Sequence, residues 1–406
     1  MKQSSERADV NRSAILAYIG AEGPMTRAEL ARRLGVSPAV VTQLSKQLLT
    51  DGLVVELETT GSTGGRPGRL LGLVADAGSA IGVKVAADHL TAVEAGIDGT
   101  VLRSATEPFD ASAPMALTDL VATLRRFIDG AGERTILGLG VGAPGSVDEQ
   151  GTGTVNSTQM GWQFVPVGET LRRELGLPVL VENNVNALAV AELLHGQARG
   201  HDNALVVTIG TGVGAGIVIG GRVVRGASGV AGEIGHIPTV EDGPECQCGA
   251  RGCLEAVVGQ AALVAEARAR GIISATAGID VLRSRADAGD AAAEKVFSRA
   301  GHLLGRAVAG LVNTLDPELV IVLGEGVEAW PHWSFGFEPA FRAGLIARKR
   351  GISVAVETWQ DDSWALGAAS LVLATSFDAY GDTGEQGRLV RQRLTESAVA
   401  VEEGTA

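Results

Sequence analysis

The chain has 406 residues, room for two or three domains, and its 45% hydrophobic and 20% charged content is that of a globular protein, not a disordered one. A net charge of −13 argues against a body that wraps nucleic acid over its whole surface, and three cysteines exclude a disulfide scaffold. No apolar run approaches the ~20 residues that cross a bilayer, and the polar start MKQSSERADVNR is no signal peptide, so the expected location is the cytoplasm, with no membrane partner.

Charge is unevenly distributed. Residues 1–75 hold nine Lys/Arg against seven Asp/Glu, net +2, which leaves −15 on the remainder. In this small basic end, Ile15, Leu16 and Ile19 recur at helical spacing and predict a helix over 10–21. Gly23-Pro24 breaks it, and Thr26 is placed to cap a second helix carrying Leu30, Ala31 and Leu34. Gly35 ends that helix, and Ser37-Pro38 opens a third through Val41, Leu44, Leu48 and Leu49. Helix, short turn, helix is the helix-turn-helix pattern, and the third helix is expected in the major groove. Leu53–Val55 and Leu70–Leu73 then flank the basic loop GSTGGRPGR, which reads as a β-wing. The expected partner is a double-stranded DNA operator, with Ser37, Thr42, Gln43, Ser45 and Lys46 on the helix and Arg66 and Arg69 on the wing as contacts. One lysine on the recognition helix makes a single copy a weak binder, which favours a dimer reading two half-sites.

From about Ser79 strands and helices alternate. Strand-like runs lie at 81–86, 91–96, 135–141, 179–182, 204–209 and 319–323, with helices near 115–131, 166–175, 185–195, 254–270 and 292–315. This is an α/β architecture, with glycine turns after strands where ligands bind. The glycine count of 56 shows no three-residue period and is read as turns and backbone-lined sites. The stretches GVGAPGSV (140–147), VENNVNALAVAE (181–192), VTIGTGVGAGIVIGG (207–221), GVAGEIGHI (229–237), CQCGARGCLE (246–255), LGRAVAGLVNTLDPELVIVLGEGV (304–327) and ALGAAS (365–370) resemble the successive motifs of the ROK family, which contains sugar kinases and sugar-responsive repressors. The resemblance implies a two-lobed ribonuclease-H-like domain of the actin and sugar kinase type, and the winged helix in front resembles the repressor branch. The expected division is 1–76 for the winged helix, 77–376 for the ROK-type domain and 377–406 for a polar, flexible tail in which 386–400 could form a short helix.

His236, Cys246, Cys248 and Cys253 offer one imidazole and three thiolates, the donors of a closed structural zinc site, one ion per chain. Four protein donors leave no open position for a zinc-bound water, so the ion's expected role is to hold its loop. The plainer alternative is three unpaired buried cysteines and a satisfied histidine. The resemblance implies a sugar bound by Asn183, Asn184, Glu233, His236 and Glu255, with residues 142–145 and Asn156 nearby. Carboxylates and amides suit vicinal hydroxyls, which both donate and accept.

Two departures argue against phosphoryl transfer. In IGVKVAADHL (81–90), Lys84 stands where the family's first phosphate loop has Asp, Ala86-Ala87 where it has glycines and Asp88 where it has Thr. Asn184 stands at the general-base position, and an amide cannot take a hydroxyl proton. The second loop, Gly210–Gly214, keeps its glycines. The reading is therefore a sugar-responsive DNA-binding repressor with no catalytic residues. An active sugar kinase with a regulatory DNA-binding domain is the alternative, and a DNA-binding protein on a ligand-free kinase scaffold is a third.

Overall fold

A computed structural model describes residues 15–16, 18–20, 23–50, 52–57, 69–74, 78–132, 134–149, 152–358, 362–376 and 384–403, with side chains to Thr375 and Leu394 in the last two segments. The chain divides into two compact units, residues 1–200 with 361–406, and residues 201–360.

The first unit opens with the winged helix. Ile15, Leu16 and Ile19 are buried; the rest of the predicted 10–21 helix lies largely outside the described residues. Thr26 caps the helix Arg27–Leu34, its hydroxyl accepting the Glu29 N–H at 3.2 Å, and Gly35 closes it with φ 64°. The helix Pro38–Thr50 follows, with Val41, Leu44 and Leu48 inward. Strands β1 (Met25–Thr26), β2 (Val54–Leu57) and β3 (Leu70–Leu73) pair antiparallel in the order β1-β3-β2, which forms the wing's base.

The unit's main sheet contains β4 (Ser79–Val85), β5 (His89–Gly96), β6 (Val101–Pro108) and β7 (Ile136–Ala143). A small sheet, β8 (Ser146–Val147), β9 (Thr154–Ser157) and β10 (Trp162–Pro166), precedes the fifth main strand, β11 (Val179–Asn183). The main order is β6-β5-β4-β7-β11, an antiparallel meander continued by two parallel strands. Alternation divides its faces. Ile81, Val83, Leu139 and Val141 share a core with Leu120 and Leu124 of the helix Ala116–Asp129, whereas Ala80 joins the helix Asp362–Ser376. That helix lies so close that a Cβ on Gly82 would fall 1.9 Å from the Ala365 carbonyl oxygen, and one on Gly140 1.8 Å from that of Ala368. Some of the glycine excess thus serves helix-on-sheet packing, not only turns.

A fully buried carboxyl group, that of Glu94, stands in this sheet. Glu94 accepts hydrogen bonds from Ser79 (2.8 Å), Arg103 (2.7 Å) and Arg134 (2.7 and 3.2 Å). Burial pushes its carboxyl up, but the two guanidiniums and the hydroxyl overcome that and hold it at about 2.

Of the two readings of the tail, flexible or with a short helix over 386–400, its described part has the helix, with longer bounds. Residues Gly384–Glu403 form a helix whose Val390 and Leu394, one turn apart, are buried. Gln386 Oε1 accepts the Val179 N–H at 3.2 Å, and Arg393 donates to the Ile136 carbonyl at 2.8 Å. The abundant charges of this segment mask a narrow apolar stripe.

The second unit repeats the plan. Strands β12 (Ala204–Ile209), β13 (Val213–Ile219) and β14 (Arg222–Val223) form an antiparallel meander, and β15 (Leu319–Leu323) and β16 (Ser353–Val356) add in parallel, giving β14-β13-β12-β15-β16. Both sheets therefore have the ribonuclease-H-like order. The predicted helix 254–270 is interrupted at Gly259, whose extended backbone separates Leu254–Val258 from Gln260–Ala269. Helices Ala291–Leu315 and Trp330–Gly344 bury Phe297, Trp333, Phe337 and Phe341 against the sheet. Among the described residues no helix is long and apolar enough to cross a membrane.

Candidate functional site

The recognition helix exposes Thr42, Gln43 and Lys46, together with Ala39, Val40 and Gln47, which the sequence reading passed over. Ser37 is exposed at the helix start, its hydroxyl 3.4 Å from the Val40 N–H, and Thr42 returns its hydroxyl to the Pro38 carbonyl at 2.8 Å. Ser45 is corrected: its side chain is fully buried, accepts from Arg27 Nε at 2.9 Å and cannot reach a base edge. Positions 41, 44, 45 and 48 share the inward face, so Ser45 falls behind Lys46. Arg69 stands at the wing's base, exposed but ion-paired with Glu56, which also takes Arg27 at 2.7 Å. Arg66 lies outside the described residues.

The cysteine cluster is local to the second unit. Ligand atoms of His236, Cys246, Cys248 and Cys253 all lie within 4.8 Å of one another. Cys248 and Cys253 sulfurs are 3.7 Å apart, and Cys246 Sγ is 3.5 Å from His236 Nδ1. Two sulfurs at ~2.3 Å from a tetrahedral ion would be about 3.8 Å apart, so the spacing fits zinc. Burial and the neighbouring sulfurs push the Cys253 thiol up to about 12, while backbone and sulfur hydrogen bonds pull that of Cys248 down; a bound cation would favour the thiolate form. Tight turns make the cluster possible: Cys246 donates to the Ala250 carbonyl at 2.8 Å, and a Cβ on Gly252 would lie 1.7 Å from the Val240 oxygen.

The same loop carries polar groups. His236 turns Nδ1 to the sulfurs and Nε2 to Glu233 Oε2, 3.6 Å away. Burial pushes the Glu233 carboxyl up, against the pull of His236, and Glu255 adds to the rise. Glu255, one residue after Leu254, accepts the Val213 N–H at 3.0 Å. Glu233, His236 and Glu255 are thus gathered around one end of the β12–β13 hairpin.

In the first unit, β11 ends in Asn183 and the helix Asn184–Leu194 begins. Asn183 is buried. Its amide oxygen accepts from Val185 (2.8 Å) and Asn186 (3.2 Å), and its Nδ2 donates to the Gly145 carbonyl at 2.8 Å. Its side chain therefore caps the helix and pins the 142–145 stretch, a role unlike the direct sugar contact expected. Asn184 is half-exposed beside Gly142. Asn156 Oδ1 accepts the Phe164 N–H at 2.8 Å. Lys84, opposite Gly142 in the sheet, lies over the Trp364 ring at 5.7 Å, and Asp88 at the β4–β5 turn hydrogen-bonds His89 at 2.7 Å.

Comparison with known proteins agrees with this geometry. Residues 80–375 match the ROK family and residues 9–63 the MarR family. The chain is 28% identical over 325 residues to a xylose repressor of Bacillus subtilis (strain 168), covering 79% of this chain and 84% of that one. The crystal structure of a ROK family transcriptional regulator, a homolog of the E. coli MLC protein, matches with a TM-score of 0.79 at 24% identity, over 96% of this chain and 99% of that one. A ROK family glucokinase from Streptomyces griseus, solved with glucose and AMPPNP, matches with a TM-score of 0.64 at 29% identity, over 72% of this chain and 99% of its own. A winged helix in front of a domain that this family model spans almost end to end leads to one assignment: the chain belongs to the ROK family and is a DNA-binding transcriptional regulator.

Proposed function

We propose that the chain is a repressor answering to a sugar or sugar derivative, held by Glu233, His236 and Glu255, and that it has lost phosphoryl transfer. The observation that carries this reading is the placement of His236 between the sulfurs and Glu233. His236 would hold a zinc ion through Nδ1, the atom it turns to the sulfurs, and its Nε2–H would then be left to donate to a carboxylate or a hydroxyl. Glu233 and Glu255 add acceptors suited to vicinal hydroxyls. Asn183 acts as a positioning residue through the helix cap. The zinc is structural, one per chain.

Lys84, Ala86, Ala87 and Asp88 at the β4–β5 turn, with an amide at Asn184, support the loss of catalysis. A dimer or higher oligomer would read paired half-sites through Ser37, Thr42, Gln43, Lys46, Arg66 and Arg69, and a sugar can shift that equilibrium only by binding the two conformations unequally. A thermal-shift panel of monosaccharides and their phosphates tests the reading: one member should raise the melting temperature. The same panel with magnesium-ATP should give no phosphorylated product, and turnover would promote the kinase alternative.

A further inference from the structure

The β12–β13 turn retains Gly210-Thr211-Gly212-Val213-Gly214, and a glycine-rich turn after a strand is a ready cradle for phosphate oxygens. Its donors are mostly engaged. Gly210 N–H bonds the Gly212 carbonyl (3.1 Å), Val213 N–H bonds Glu255 (3.0 Å) and Gly214 N–H bonds the Thr208 hydroxyl (3.2 Å). Gln260 N–H holds the Gly210 carbonyl from behind at 2.9 Å. Thr211 and Gly212 supply the remaining N–H groups.

A distant residue then closes the turn's face. After β15 the chain runs Gly324-Glu325-Gly326. Gly324 has φ 103°, and Cβ atoms on Gly324 and Gly326 would lie 2.5 and 3.0 Å from the Ile209 carbonyl oxygen. Both glycines are pressed against the end of β12, which fixes where Glu325 projects. Its Oε2 lies 2.1 Å from the position a Cβ on Gly210 would take. The side of Gly210 that a Cβ would occupy is thus covered by a carboxylate.

We infer that Glu325 bars this turn to nucleotide phosphates by charge, so that glycines retained in sequence no longer form a nucleotide site. The inference deepens the proposed loss of phosphoryl transfer, and its test keeps the two apart. Full-length, zinc-loaded chain is titrated calorimetrically with AMPPNP, with and without magnesium, for the wild type, Glu325→Gln and Glu325→Ala, with melting temperature and zinc content confirming each fold. The wild type should show no saturable binding at millimolar nucleotide. Both variants should bind at least ~10-fold more tightly than any wild-type signal, given how strongly like charges repel at contact in a partly buried site. Glu325→Gln keeps the side chain's size, so a gain in it reports charge and not bulk. Submillimolar wild-type binding, no gain in either variant, a gain in Glu325→Ala alone, or magnesium-dependent wild-type binding lost in the variants would each overturn the inference. Wild-type nucleotide binding without turnover would leave the proposed function standing; turnover would overturn that reading itself.

Discussion

The two sheets share one strand order, yet on the proposed reading their first hairpin turns would lose phosphate binding by different routes. At β4–β5 the change is written in the turn: Ala86 and Ala87 bring Cβ atoms and Asp88 brings a charge, its side chain 87% exposed. At β12–β13 the turn keeps its glycines, and the obstructing carboxylate comes from Glu325, far along the chain. A loop motif therefore reports backbone permission, and the groups packed against it decide what binds. The units also differ in what holds them. The first contains the buried Glu94 cluster and the Asn183 cap, the second the cluster of His236, Cys246, Cys248 and Cys253.

That contrast predicts a metal-sensitive second unit and an acid-sensitive first. The largest effect should follow Cys253→Ser. Zinc content should fall from about one per chain to near none, and because structural zinc binding is worth of order 10 kcal/mol in small domains, the second unit should lose hydrogen-exchange protection first. Equal loss of protection in both units would break the contrast.

Glu94→Gln should come next. A folded carboxyl at about 2 against an ordinary 4.5 contributes about 3 kcal/mol, fully present above pH 4.5 and lost as pH falls towards 2. The variant should lower the urea midpoint at pH 7 and flatten the acid limb between pH 4.5 and 2. An unchanged acid limb would show that the cluster is not the first unit's acid-labile point.

Asn183→Ala removes a cap and the Gly145 bond and should cost about 1–2 kcal/mol, whereas Asn183→Asp keeps the cap acceptor but sets an oxygen against the Gly145 carbonyl, and should recover only part of it. Equal losses in the two would contradict the capping role. The smallest effects belong to the recognition helix. Lys46→Ala should reduce the slope of log affinity against log salt by about one, Arg69→Ala by less because Glu56 already pairs it, and Ser45→Ala should leave the slope unchanged while lowering stability. Anisotropy with an operator fragment selected from genomic DNA reads all three.

Much of this was legible in the sequence. The strands at 204–209 and 319–323 are short apolar runs, and both are recovered at those bounds. The donor set was legible because three of its four members fall within eight positions. Other elements carry no such signal. β6 is an exposed edge strand, VLRSATEP, and β13 is interrupted by glycines. The helix Trp330–Gly344 holds Pro339 and three glycine or proline neighbours that read as turns. Ser45 and Lys46 are adjacent in sequence, but one is buried and the other exposed, and Asn183's role depends on ending β11 beside Gly145. Glu325 could not be linked to Gly210 without the β12–β15 pairing.

The most direct test of the central claim is one paired titration on the full-length, zinc-bound chain: operator affinity by anisotropy with and without the sugar that raises its melting temperature, with magnesium-ATP present and the sugar recovered afterwards. The account predicts that the sugar changes operator affinity at least ~10-fold, a coupling of about 1.4 kcal/mol, and is recovered unphosphorylated. Unchanged operator affinity at saturating sugar, or recovery of a sugar phosphate, would contradict it.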